Sequence, residues 1–182
     1  MKSCWIIADD FADTHIDPDQ LKNIGPLWGS WKTWRAWQTD NVLCHDANKA
    51  QELVTREFQK TCNFHIPQKH YTMLGRPNNV NLYEGDFPGE FDNPEEIVAM
   101  HLASQNNNLI LLIGYDLTEI KSGSKFQKHK DKNYINAFRA TINTYPDVQW
   151  VLIDHSEDLD KSLLNLPNLT CDKFESVLQL LG

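Results

Sequence analysis

The side chains best suited to chemistry fall in four short runs, each an apolar stretch giving way to an acid. They are Ala8-Asp9-Asp10-Phe11, Cys44-His45-Asp46, Gly114-Tyr115-Asp116-Leu117 and Ile153-Asp154-His155-Ser156. Carboxylates so placed accept hydrogen bonds from ribose or sugar hydroxyls, hold a metal, or take a proton. They equally cap the next helix or loop. The first run continues as ADDFADTHIDPD, residues 8–19, with Asp9, Asp10, Asp13, His15, Asp17 and Asp19. An oxygen-rich set of that kind suits Mg²⁺ or Mn²⁺. Its spacing matches no fixed metal loop, and Asp-rich stretches also make turns. The cofactor is therefore left unknown, with a divalent metal as the one candidate.

A second concentration is aromatic. LWGSWKTWRAWQTDNV, residues 27–42, holds four of the six tryptophans: Trp28, Trp31, Trp34 and Trp37. A period of three drifts about 60° per step on an α-helix. Gly25-Pro26 and Gly29 place Trp28 in a turn, and the other three fall on a short helix between the first two strands. Three readings stay open. The rings pack the helix on a sheet, they form a stacking wall for a base or sugar with Arg35 or Lys32 at a phosphate, or they make a homodimer patch. Trp28, beside Gly29, is the ring assigned to ligand contact.

These residues need a scaffold. SCWIIAD (3–9), NVLCHD (41–46), HYTMLG (70–75), VNLYEG (80–85), LILLIG within 108–117 and VQWVLIDHS (148–156) read as strands. The run 108–117 is almost continuously apolar, as a central parallel strand buried on both faces must be. ANKAQELVTREFQKTC (47–62), NPEEIVAMHLASQ (93–105), KNYINAFRATINTYP (132–146) and CDKFESVLQLL (171–181) read as helices. Asp46, Asn93 and Asp172 are their candidate caps, with Pro94 at a first helical position. Strands alternating with helices predict one α/β domain over 1–182, a three-layer sandwich with a mostly parallel sheet. In such folds ligands bind outside the carboxyl ends of the strands, where the chain order reverses.

Residues 95–181 carry a family resemblance. EEIVAMHLAS, LILLIGYDL, a loop holding His129, YINAFRATINTYP, VQWVLIDHSEDL and FESVLQLL follow one another as in Rossmann-like single-domain bacterial sialyltransferases and motility-associated glycosyltransferases. The resemblance implies a Rossmann-like fold and a nucleotide-sugar-dependent transfer. It makes His129 the general base for an acceptor hydroxyl, with Lys125, Lys128 and Lys130 offsetting phosphate charge. Tyr115 and Asp116 would line the nucleotide cleft, and Ser156 would bind base or phosphate. The chain departs from the family where the latter has a Gly-Asn-Gly-Pro-Ser-like loop after the first strand. Here stands IIADDFADTHID, whose acids repel phosphate unless a metal intervenes. FDNPEEI likewise replaces a turn of small residues.

Two functional classes follow: a glycosyltransferase-like enzyme that binds a nucleotide or nucleotide sugar, or a non-catalytic Rossmann-like binding or oligomeric module that has lost the glycine loop. The ligand set expected in either is Asp9, Asp10, Trp28, Arg35, Tyr115, Asp116, His155 and Ser156. A net charge of −8 argues against a nucleic-acid partner. No apolar run is long enough to span a bilayer, and the N-terminus MKSCWIIADD does not read as a signal peptide; a cytoplasmic location is expected. Cys4, Cys44, Cys62 and Cys171 show no metal spacing and are expected as free thiols. The absence of GxSxG and GxGxxG argues against a serine hydrolase and a dinucleotide oxidoreductase.

Overall fold

The computed structural model describes residues 2–9, 16–84, 94–118, 132–154 and 159–181. One sheet carries eight strands: β1 (Ser3–Ile7), β2 (Leu27–Ser30), β3 (Asn41–Leu43), β4 (Asn63–Pro67), β5 (Val80–Tyr83), β6 (Leu109–Ile113), β7 (Gln149–Ile153) and β8 (Leu169–Asp172). Their order across the sheet is β5-β4-β3-β2-β1-β6-β7-β8, and every neighbouring pair is parallel. The chain walks outward from β1 to β5, then returns to the other side of β1 and walks outward again. Its order therefore reverses between β1 and β6.

Seven helices connect or follow the strands among the described residues: α1 (Pro18–Lys22), α2 (Trp31–Trp37), α3 (Ala47–Thr55), α4 (Gln68–Tyr71), α5 (Glu95–Ser104), α6 (Lys132–Thr144) and α7 (Phe174–Leu181). They cover both faces. On one, Ile6, Leu43, Ile110, Leu112 and Trp150 pack under α5 and α6. On the other, Trp5, Ile7, Leu27 and Leu111 meet Leu21 of α1, Trp37 of α2 and Phe174 of α7. Val42, Phe64 and Ile66 extend that second face against Ala50 of α3 and Phe58 of a 3₁₀ turn, Phe58–Lys60. The result is a Rossmann-like three-layer α/β sandwich. Burying each large apolar side chain contributes about 1.5–3 kcal/mol, and β6, an interior strand between β1 and β7, is buried at all five positions.

Several elements differ from the reading of the sequence. GPLWGS contains β2 rather than a turn, so Trp28 is a strand residue and α2 links β2 to β3. The strand predicted over 70–75 is instead the end of α4 and a turn, while NFHIP just before it forms β4. Cys171 and Asp172 end β8, so the closing helix begins at Phe174. Pro94 is the N-cap of α5 rather than its first helical residue, and Asn93 lies outside the described residues. These strands are only four or five residues long and carry Gly, Pro, His or Asp, so periodicity has little to act on. Asp46 does cap α3, its Oδ1 accepting the Lys49 N–H at 2.6 Å.

All four cysteines are free; Cys4 and Cys44 are buried, Cys62 and Cys171 half-buried. No helix among the described residues is long and apolar enough to cross a membrane.

Candidate functional site

In an all-parallel sheet each strand ends at one edge, and the crossover helices start there. The carboxyl ends of β1, β2 and β3 and the first turn of α5 therefore meet by topology. Asp9 stands just beyond β1. Its Oδ1 accepts the Ser30 hydroxyl at 2.7 Å and that of Thr33 at 3.4 Å, and its Oδ2 lies 3.0 Å from Lys32 Nζ. Ser30 ends β2 and caps α2, its Oγ accepting the N–H groups of Lys32 and Thr33. A β2 residue, a helix cap and a β1 carboxylate are thus joined at one point. Lys32 is largely exposed, and its ammonium is held above the ordinary lysine range by the bond to Asp9, with Glu95 and Glu96 adding to it against some desolvation.

Glu95 faces this group from α5. Its Oε1 accepts the His45 N–H at 2.7 Å. Burial pushes its carboxyl up to about 7, helped by the charges of Asp9 and Glu96 and opposed by the His45 N–H and Lys32. It is poised to exchange a proton near neutral pH. His45 Nδ1 lies 2.8 Å from the Tyr83 hydroxyl, and its carbonyl lies 3.0 Å from His70 Nε2. Glu96 is buried; its carboxylate accepts the Tyr134 hydroxyl at 3.3 Å and its carbonyl the Tyr115 hydroxyl at 3.2 Å. The edge thus offers carboxylate acceptors, one exposed ammonium and one carboxyl that titrates near neutrality.

The residues expected from the sequence separate here. Asp9 is at the strand-end edge, paired with Lys32. Tyr115 lies behind it, buried, its ring edge-on to Phe138 at 5.6 Å and its phenol tied to the start of α5. Asp116 is exposed and holds the N–H and hydroxyl of Thr118 in a local turn. Arg35 is exposed on α2, and its charge is felt at Glu52 of α3. Trp28 is buried, 9% exposed, in the α5-side core with its ring 5.0 Å from His65. Asp154, at the end of β7, accepts the Phe174 N–H and so starts α7. Asp10, His129, His155 and Ser156 lie outside the described residues, as do Asp13, His15 and the lysines at 125, 128 and 130. Among the described residues no group of three His, Cys, Asp or Glu side chains is arranged to hold a metal ion.

The other tryptophans are accounted for by the 60° drift. Trp31 and Trp34 turn toward the α3 side, Trp31 under the Lys49 ammonium at 4.3 Å and Trp34 edge-on to Phe58 at 4.6 Å. Trp37, a turn further on, enters the neighbouring β1 cluster. Three rings on one short helix thus pack it across two adjacent parts of a single face.

The sequence points to Lys32, as an alternative to Arg35 at a phosphate, and to His45, in a strand-end run, but not to Glu95 or Tyr83. The signal lay in the topology: in a parallel sheet, two acids opening a crossover helix must arrive beside the strand-end acids. No protein-family model matches the chain, and no curated protein matches it.

Proposed function

We propose that the cleft at the carboxyl ends of β1, β2 and β3 binds a nucleotide or nucleotide sugar, and that the chain is glycosyltransferase-like. One observation carries this reading: the strand order reverses between β1 and β6, and Asp9, Lys32 and Glu95 gather at that reversal. Crevices at such reversals are where doubly wound sheets take their ligands. Asp9 and Glu96 supply acceptors for ribose or sugar hydroxyls. Lys32 supplies the cation that a phosphate requires and that the acidic strand end otherwise lacks. Glu95 takes or gives a proton close to neutral pH. The sequence resemblance of residues 95–181 to the Rossmann-like sialyltransferases and motility-associated glycosyltransferases supports the same reading, and assigns the acceptor's base to His129.

A second reading has its own observation. Asp9 already has partners on both oxygens, in Ser30, Thr33 and Lys32. A carboxylate so occupied serves as a joint between β1 and α2, as it would in a non-catalytic binding module without the glycine loop.

Thermal unfolding with a panel of nucleotides and nucleotide sugars, with and without Mg²⁺ or Mn²⁺, tests the proposal. A ligand at a hundred times its Kd adds about 2.7 kcal/mol, which at this chain length raises Tm by roughly 5–10 °C. Lys32→Ala removes an exposed side chain and should leave the free protein's Tm within a degree or two while abolishing most of that rise. A panel without effect, or a rise that Lys32→Ala does not diminish, would overturn the reading.

A further inference from the structure

The opposite edge of the sheet carries a second concavity. A groove of about 970 Å³ opens where β3, β4 and β5 begin, against the end of α2 and the 3₁₀ turn. This lies within the range of small-ligand sites. Its lining is dominated by amides: Gln38, Gln59, Asn63, Asn79 and Asn81. Trp34, half-buried, adds an indole.

Two polar atoms in this wall lack partners. Thr39 is 1% exposed, and its hydroxyl makes no hydrogen bond. Gln59 Oε1 is likewise buried and unpaired. Buried polar groups are almost always satisfied, and these two atoms, which expose no surface to the groove, mark where its wall is least well paired. Asp40 and Lys60 line the groove with one charge of each sign. Asp40 Oδ2 accepts the Leu27 N–H at 2.8 Å, and Lys60 Nζ is 2.6 Å from Glu57. The groove thus carries no surplus charge to select a phosphate or a metal ion, and a purely apolar ligand would bury amides unpaired.

We propose that this groove binds a neutral polyhydroxylated ligand, a mono- or disaccharide. Each side-chain amide offers donors and an acceptor in one plane, matching adjacent sugar hydroxyls. The indole matches the apolar C–H face of a pyranose. The exposed amides of Gln38, Asn63, Asn79 and Asn81 supply these donors and acceptors. The groove lies at the edge opposite Asp9 and Lys32, so this inference stands or falls apart from the nucleotide reading.

The test is a titration of the ¹⁵N-labelled full chain with glucose, galactose, mannose, N-acetylglucosamine, maltose and cellobiose, followed by amide NMR. At least one sugar should shift the signals of Thr39, Asn63 and Asn81 saturably and leave those of Asp9 and Lys32 in place. Thr39→Val keeps the side chain's shape and removes the orphaned hydroxyl. It should raise the Tm of the free protein and leave sugar binding as in wild type. Asn81→Ala, at an exposed position, should weaken sugar binding tenfold or more with Tm unchanged. The proposal is overturned if no sugar produces a saturable shift at the groove, or if Asn81→Ala binds sugar as tightly as wild type.

Discussion

Glu95 is the side chain whose ionisation the fold changes most usefully. Its carboxyl, near 4.5 in an unfolded chain, is pushed up to about 7 by burial beside Asp9 and Glu96. A raised carboxyl pKa means that the folded state binds the proton more tightly. The associated stability is fully present below pH 4.5 and is lost as the pH rises through 7. One pKa unit corresponds to about 1.4 kcal/mol, so the neutral amide in Glu95→Gln should make the protein more stable than wild type by about 3 kcal/mol at pH 8. The amide oxygen keeps the acceptor for the His45 N–H. At pH 4.5 the difference should vanish. Urea unfolding at the two pH values measures both, and equal stability at pH 8 would show that the carboxyl ionises there without penalty. The same substitution removes the proton exchange proposed for Glu95, so a more stable protein that is weaker in the proposed transfer is the expected combination.

At the scale of elements, the joint between β2 and α2 depends on Gly29. A Cβ built there would stand 2.9 Å from Thr33 Cβ and 3.0 Å from its Cγ2. Thr33 is fully buried and belongs to the helix's own first turn, so the helix must move rather than a side chain. Gly29→Ala should therefore destabilise the protein by about 1–3 kcal/mol, as overpacking does, and lower Tm by several degrees. Because Ser30 and Lys32 flank the same joint, it should also weaken nucleotide binding more than its effect on stability alone explains; a Tm equal to wild type would mean that the helix has room to shift. That joint marks where the sequence stops being readable. The long apolar run of β6 and the capped helix after Asp46 are legible because burial on both faces and an N-cap each leave a local pattern. The four residues of β2 leave none, since a glycine demanded by a crossing helix looks like a glycine demanded by a turn. Asp46, Asp116 and Asp154 end strands just as Asp9 does, yet they hold helix starts or turns. Only the three-dimensional arrival of α5 separates the cleft acid from the others. Trp28, the ring chosen for a ligand, is in the core for a related reason: strand alternation decides its face, and the strand itself was hidden.

At the scale of the molecule, three buried groups among the described residues bear on how stability responds to acid. His65, against Trp28 and 3.3 Å from Asn41 Oδ1, is pushed down to about 4 by burial. His101 is pushed down to about 4 in the same way, where it ties α5 to α6 through Thr141 at 3.0 Å and Tyr145 at 3.3 Å. A lowered histidine pKa has the opposite sign to Glu95. The unfolded chain takes up the proton first, so stability is lost as the pH falls from about 6.5 through 4. Between pH 6.5 and 4.5 each histidine removes about 2–3 kcal/mol, whereas Glu95 returns a similar amount as the pH falls from 7 to 4.5. The wild-type protein should therefore lose about 2–3 kcal/mol on going from pH 7 to pH 4.5, the effect of one histidine, because the second is offset. Glu95→Gln removes the offset, and the same change of pH should then remove about 5 kcal/mol. Imidazole titrations by NMR in the folded protein give the two histidine values directly, and urea unfolding of both proteins across this range gives the energies. If the two curves ran parallel below pH 7, Glu95 would not be the opposing group, and the neutral carboxyl assigned to the cleft would have to be given up with it.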